Sequence, residues 1–448
     1  MLKGMSVVGC KVNQAETDSM LDMLKAAGAN IVEFDEKADI YIVNTCSVTN
    51  IADKKSRQML HRARKMNPDG IVIAAGCYVQ SAREILEQDE AIDIVISNNK
   101  KKSITEIVND YINVRNNEKN APGKDHEAME YFVDISRETE YEEMGGHVPV
   151  GHTRAYVKIQ DGCNQFCSYC IIPYVRGRIR SRSQEAILAE VSELAEAGIK
   201  EVVLTGIHIS SYGKDKNNEG ALIELIEAIS KIKGIKRIRL GSLEPGIITE
   251  EFVERISSNS KVCPHFHLSL QSGCDSVLKR MNRKYTCEQY FEKCDMLRKA
   301  YKSPALTTDV IVGFPGETEE EFAETVRYLT ELNLYEMHIF KYSPRKGTVA
   351  AAMKEQVAPE IKNERSDVLL KLAHDNKTAY EAQFEGCELE VLVEEVVKKN
   401  NKTYLRGHTE RYMDILIDVG DISMPESFVN SFVYVTYTQN GGNLPLLL

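Results

Sequence analysis

The chain has 448 residues, 43% hydrophobic and 27% charged, which is too long for one ordinary core and fits a globular protein of two to three domains. Its net charge of −11 excludes a protein that coats nucleic acid by bulk electrostatics, so any grip on phosphate has to come from local basic patches. No apolar run reaches the length of a membrane span and MLKGMSVVGC does not read as a secretory leader, so a cytoplasmic protein with no membrane partner is expected; in that reducing compartment eleven cysteines point to metal or redox chemistry rather than disulfides.

Residues 1–114 alternate short apolar strands (MSVVG, DIYIVN, IVIAAG) with helical stretches near 14–27 and 53–66, the pattern of a parallel sheet covered on both faces. Residues 115–151 include the polar run NNEKNAPGKDHEAMEYF with Pro122 and Gly123 and are expected to be a linker. From 152 to 378 the alternation returns. AYVKIQ, EVVLTG, KRIRLGS, HFHLSL, TTDVIVG and YEMHIFKYS are strands separated by amphipathic helices, and six such units predict a partial or complete (β/α) barrel. A charged helix over 360–385 then leads into short strands without helices (ELEVLVEEV, TYLRGHT, MDILIDV, SFVYVTY), so 379–448 is expected to be a small five-stranded β-barrel. The fold class is thus α/β with an all-β tail.

The strongest chemical signal is DGCNQFCSYC, which sets Cys163, Cys167 and Cys170 in a C-x3-C-x2-C loop directly after the strand AYVKIQ. Three thiolates on one loop hold a cubane iron–sulfur cluster and leave one iron without a protein ligand, and an open position in a metal site generally marks reactivity. The amino and carboxylate groups of S-adenosylmethionine suit that position. The alternative is a structural zinc site completed by a distant histidine such as His208, for which the usual paired C-x2-C arms are missing. A second set, Cys10, Cys46 and Cys77, follows MSVVG, DIYIVN and IVIAAG. All three fall at carboxyl ends of strands in one parallel sheet, the edge where such sheets assemble binding sites; ordinary buried cysteines are the alternative.

GCKVN (9–13), NTCSVTNIADKKSRQ (44–58), AAGCY (74–78), GCNQFCSYCIIPYVRGRIRSR (162–182), LTGIHISSYG (204–213), HLSLQSG (267–273), VLKRMNRKYT (277–286) and DVIVGFPGET (309–318) together resemble the methylthiotransferase family of radical S-adenosylmethionine enzymes. The wording of GCKVN, ADKKSRQ and HLSLQSG is similar to the branch that acts on N6-threonylcarbamoyladenosine beside the tRNA anticodon; Cys274 departs from the serine expected after QSG. The tail resembles the family's RNA-binding TRAM barrel in length, position and strand pattern. By that resemblance Cys163, Cys167 and Cys170 hold a radical-generating [4Fe-4S] cluster, and Cys10, Cys46 and Cys77 an auxiliary [4Fe-4S] cluster that delivers sulfur. Partners would be tRNA, an external electron donor and a sulfur source. Sister branches acting on N6-isopentenyladenosine in tRNA or on a ribosomal-protein aspartate are the nearest alternatives; a non-catalytic iron–sulfur or zinc RNA-binding protein is the alternative of another class.

Ligand-binding residues of barrels sit where the strands end, so Gly206, Ser242, Glu244, Gln271, Gly313 and Gly316 are candidate contacts to S-adenosylmethionine; plain turn chemistry is the other reading of such junctions. For RNA the candidates are Arg176, Arg178, Arg180 and Arg182 beside the cysteine loop, with Lys54, Lys55 and Arg57 in the first domain. The tail carries eleven acidic residues against five basic ones from Glu381 on, a poor composition for phosphate, and any RNA face there would use Arg406, Arg411 and Tyr412.

Overall fold

The computed structural model describes residues 2–7, 11–118, 129–145, 153–400, 402–420, 424–439 and 441–443. Cys10 lies outside the described residues. The first layer is a six-stranded, all-parallel sheet of β1 (Leu2–Val7), β2 (Asn30–Val32), β3 (Ile40–Thr45), β4 (Ile71–Gly76), β5 (Ile94–Ile96) and β6 (Met129–Tyr131), in the order β2-β1-β3-β4-β5-β6. Side chains alternate across a strand, so β3 serves two cores. Tyr41 and Val43 pack with Leu60 and Ala63 of the helix Asn50–Met66. Ile40 and Ile42 pack with Met20 and Leu24 of the helix Lys11–Ala26. That double coverage is why β3 and β4 are buried along their whole length and read as unbroken apolar runs.

The expected linker proves to be partly structure. A helix spans Ile104–Glu118, and Met129–Tyr131 forms the sheet's edge strand. Beyond it Ile135 is 2% exposed. An edge strand needs only a few residues of backbone pairing, which a polar composition does not forbid.

The second layer is an open half-barrel. β7 (Arg154–Asp161), β9 (Glu201–Gly206) and β10 (Arg237–Leu240) pair in parallel, with the short antiparallel β8 (Arg180–Ser181) at the edge. β11 (His265–His267), β12 (Ala305–Val312) and β13 (Glu336–Lys341) form a second parallel group, joined to the first by the bridges Ile238↔Val262 and Leu243↔Leu268. All six expected strands are present. Outward residues such as Val157, Ile159, Val202, Leu204, Val310 and Val312 build one apolar core with the surrounding helices. The inward set is polar, including Lys158, Gln160, Arg239, His267, Asp309 and His338, so the lumen is a chemical chamber rather than the aliphatic plug of a closed barrel.

The third unit is a closed five-stranded barrel of β14 (Glu388–Lys399), β15 (Lys402–Thr409), β16 (Asp414–Asp418), β17 (Phe432–Thr438) and β18 (Gly441–Asn443), reached through the helix Pro359–Ala382. It docks on the amino-terminal ends of the half-barrel strands. There Arg237 donates to the carbonyls of His408 and Glu390, and Arg239 to those of Glu410 and Thr409. Two of the three tail residues considered for an RNA face, Arg411 and Tyr412, are taken up where the barrel docks. Tyr412 stacks on His408 at 4.6 Å under the Arg239 guanidinium at 4.7 Å. Arg411 donates to the carbonyls of Ser303 and Lys302, and Arg406 is paired with Asp414 and Glu395.

Candidate active site

The cysteine loop leaves β7 through Gly162, whose backbone is left-handed at φ 72°. A Cβ there would lie 1.8 Å from the Arg178 carbonyl oxygen, so only glycine lets the segment 177–178 fold back over the loop. The Cys163 amide then donates to the Gly177 carbonyl at 3.0 Å and that of Cys170 to Cys167 at 2.9 Å. Cys163, Cys167 and Cys170 follow the carboxyl end of β7 and are near enough to interact electrostatically with one another. Burial pushes the Cys163 thiol up to about 11. Burial, reinforced by neighbouring Cys167, pushes Cys170 up to about 12. Thiols held that way stay protonated until a metal ion binds the sulfur and displaces the proton to solvent.

Cys46 follows β3 and Cys77 follows β4, both buried. The turn into the short helix Cys77–Ser81 needs Gly76, at φ 97°, because a Cβ would meet Asn44 Oδ1 and the Thr45 carbonyl at 2.6 Å. The edge carrying Cys46 and Cys77 faces the cysteine loop of the half-barrel. Cys77 packs with Ile171 and Val175, and its Sγ accepts from Arg176 Nε at 3.1 Å. Between the two sets lies a cavity of about 250 Å³ bordered by Val48, Thr49, Tyr169, Cys170, Gln271, Asp309, Ile311 and Phe340. A larger cavity of about 430 Å³, around Tyr141, Arg154, Lys158 and Glu394, has no cysteine in its lining and lies away from this chemistry.

Arginines hold the site together, and one of them, Arg345, went unrecognised in the sequence. Arg283, whose side chain is 6% exposed, donates to Cys167 Sγ at 3.2 Å and to Glu244 Oε2 at 2.9 Å. Burial would raise the Glu244 carboxyl, but the hydrogen bond from His208 and the Arg283 charge hold it below its ordinary value. Arg345, in the loop after β13, reaches Ser47 Oγ at 2.8 Å, Asp53 Oδ2 at 2.6 Å and Asn50 Oδ1 at 2.6 Å, clamping the Cys46 loop to the half-barrel. Arg345 follows the end of β13, which is the signal that could have found it. Arg345→Ala should release that loop by about 2 kcal/mol, read as roughly 30-fold faster amide exchange over residues 46–53; unchanged exchange would show that the clamp is dispensable.

The arginine run beside the cysteine loop is not a phosphate grip. Arg176 and Arg180 are each 1% exposed and Arg182 4%. Arg176 pairs with Glu16 and Asp161, Arg180 donates to the Arg176 and Arg178 carbonyls, and Arg182 pairs with Glu190 and Glu143. Arg178 alone of the four is exposed, lying over the Phe166 ring at 4.5 Å. Lys54, Lys55 and Arg57 are exposed on the helix Asn50–Met66. Of the strand-end candidates, Glu244 and Gln271 stand beside the cysteine loop or cavity, Gly206 is half-buried against Gln160, and Ser242 is exposed. At Gly313 and Gly316 the space a Cβ would take is filled by Lys362 and by Glu355. His208, the conceivable fourth zinc ligand, is bonded to Ser211 and Glu244 instead.

A C-x3-C-x2-C loop on the first strand of an open parallel half-barrel defines a radical S-adenosylmethionine enzyme. Residues 157–329 match the radical SAM superfamily and residues 4–97 a family described as uncharacterized protein family UPF0004. The chain is 39% identical over 410 residues to the threonylcarbamoyladenosine tRNA methylthiotransferase MtaB of Bacillus subtilis, covering 91% of this chain and 88% of that protein. It is 35% identical over 441 residues to the tRNA-2-methylthio-N(6)-dimethylallyladenosine synthase of Thermoanaerobacter pseudethanolicus, covering 96% and 89%. The fold is shared with the radical S-adenosylmethionine methyltransferase TsrM of Kitasatospora setae, with a TM-score of 0.57 at 15% identity over 78% of this chain and 77% of that one. The chain belongs to the radical SAM methylthiotransferase family.

The cofactors of such an enzyme are S-adenosylmethionine and two [4Fe-4S] clusters, and the residues present fit them. A cluster held by thiolates is anionic, and its sulfurs accept hydrogen bonds that stabilise it. Each cysteine set has a buried guanidinium donating to sulfur, Arg283 to Cys167 and Arg176 to Cys77, and Asn98 Nδ2 lies 3.8 Å from Cys77 Sγ. Among the described residues no helix is long and apolar enough to cross a membrane.

Proposed function

We propose that the chain transfers a methylthio group to C2 of N6-threonylcarbamoyladenosine beside the anticodon of tRNA, in the cytoplasm, drawing on an external one-electron donor and a sulfur source. Cys163, Cys167 and Cys170 would hold the cluster that binds S-adenosylmethionine, and Cys10, Cys46 and Cys77 the cluster that carries sulfur. The observation that supports this division most is the packing of Cys77 against Ile171, Val175 and Arg176, which follow Cys170 directly. Two cysteine sets so juxtaposed can address one small target between them.

The target's chemistry demands such an arrangement. An adenine C2–H is too weakly acidic for a side-chain base working near neutral pH. When bound, the clusters and S-adenosylmethionine supply one-electron chemistry and the sulfur. The chain's own residues do the rest. Ile171, Ile311 and Phe340 give the cavity apolar walls that exclude water. Phe340 is 46% exposed and offers a face on which a base turned out of the anticodon loop can stack. Glu244 and Gln271 are the strand-end groups best placed to orient the amino acid end of S-adenosylmethionine. The RNA backbone would meet Arg178, Lys54, Lys55 and Arg57, with the exposed Tyr174 beside them.

Nucleoside mass spectrometry of tRNA from cells lacking the chain tests the reading. The expected result is loss of the methylthio form of threonylcarbamoyladenosine with the unmethylthiolated nucleoside accumulating. Its persistence, with loss of the methylthio form of the dimethylallyl nucleoside instead, would transfer the assignment to the other tRNA substrate.

A further inference from the structure

The cavity does not end at its apolar walls. Asp309 on β12 stands in its lining, and next to it are His267 on β11 and His338 on β13. Strand register sets Asp309 opposite His338 and His267 opposite Thr307, and alternation puts all four on the inner face, one step below Ile311 and Phe340. One nitrogen or carboxylate oxygen from each of His267, Asp309 and His338 lies within 4.8 Å of the others. His267 Nε2 is 3.3 Å from Asp309 Oδ2, and its Nδ1 is 3.0 Å from Thr307 Oγ1. The two histidine rings stack at 5.8 Å with 24° between their planes.

This floor is half-open. The side chains of His267 and Asp309 are 12% and 31% exposed, and His338 is exposed toward the lumen. His267 Nε2 is buried with no hydrogen-bond partner of good geometry. The exposed His338 ring, beside the Asp309 carboxylate, is the group that a polar ligand entering the lumen meets first. Stacked on Phe340, an adenosine has its substituent at N6 as the part able to reach below Ile311.

We propose that His267, Asp309 and His338 form the subsite for a polar, anionic N6 substituent and are what selects threonylcarbamoyladenosine over dimethylallyladenosine. The inference rests on the function proposed above and names the groups that set its specificity. The match is one of donors and acceptors. A threonylcarbamoyl group carries a carboxylate, which the histidine N–H groups can bond, and a hydroxyl and ureido N–H, which Asp309 can accept. A dimethylallyl group offers none of these and would leave the remaining donor and acceptor positions of His338 and Asp309 unmet. A divalent metal bound by the same three side chains is the competing occupant.

The test uses the enzyme reconstituted with both clusters and two tRNA substrates that differ only in the N6 group. Wild type should act on the threonylcarbamoyl substrate with kcat/KM at least about 100-fold above the dimethylallyl one. His338→Phe should lower kcat/KM for the threonylcarbamoyl substrate by about 10-fold or more, chiefly through KM, while His338→Gln, which keeps a donor, should restore most of it. Iron and sulfide per chain confirm that each variant retains its clusters. If wild type shows the expected preference and His338→Phe keeps it intact, the subsite is wrong and the function stands. If wild type methylthiolates only the dimethylallyl substrate, the function itself fails and takes the subsite with it. Stoichiometric zinc that disappears in His267→Ala and Asp309→Ala would overturn the subsite in favour of a metal site.

Discussion

Replacing Arg176 by leucine should destabilise the chain by about 3 kcal/mol, the lower end of what removing one partner from a buried ion cluster costs. Arg176 bonds Glu16 through two nitrogens, Asn13 Oδ1 at 2.9 Å, Asp161 at 3.1 Å and Cys77 Sγ at 3.1 Å. Its loss removes the guanidinium that bonds both oxygens of a Glu16 side chain that is 3% exposed. The effect stays near the lower bound because Glu16 keeps Lys101 and Lys158. The midpoint of urea unfolding of the cluster-free chain, compared with wild type, measures it; a shift no larger than that of an exposed ion-pair variant such as Arg255→Ala would show that the network carries little stability.

The same carboxylate gives the effect a pH signature. Burial pushes the Glu16 carboxyl upward, but Arg176, then Lys101 and Lys158, outweigh burial and hold it well below the ordinary range. A depressed folded-state value means the contribution is complete at neutral pH and drains away as pH falls below about 4, where the unfolded chain takes up the proton. With Arg176 gone Glu16 is held down less, so the gap between wild type and variant should narrow as the solution is acidified.

This network also shows where the sequence was legible and where it was not. The C-x3-C-x2-C loop and the strand ends at Cys46 and Cys77 could be read directly, because both follow from local pattern: a strand, then a turn, at fixed spacing. The six half-barrel strands and the closed tail barrel were visible for the same reason. The arginine run could not be read that way. Four arginines at every second position look like a phosphate grip, yet Glu16 lies 160 residues before Arg176 and Asn13 lies 163 before it. Only the fold that lays the helix Lys11–Ala26 against β7 brings them together. Gly313 and Gly316 show a related limit: a glycine marks close approach, but that Lys362 and Glu355 are what approach its Cβ side is a property of tertiary packing. Edge strand β6 was hidden because backbone pairing, not side-chain pattern, makes it.

Cys167→Ala and Cys46→Ala should separate the two halves of the chemistry. On the assignment proposed above, each variant leaves one triad with two thiolates, too few to hold a cube that already has one iron open, so iron and sulfide per chain should fall by about half in both. Reductive cleavage of S-adenosylmethionine should drop by roughly 1,000-fold or more in Cys167→Ala, the loss typical of removing a member of a catalytic unit. It should persist in Cys46→Ala, while methylthio transfer to tRNA disappears in both. Cys46 is the informative position because it stands on the first sheet, away from β7, and touches the half-barrel through the Arg345 clamp on its neighbours Ser47 and Asn50. Its loss therefore removes a sulfur ligand without disturbing the Cys167–Arg283 contact. Equal loss of cleavage in both variants would mean that the two cysteine sets serve one centre, and the division of labour between them would have to be abandoned.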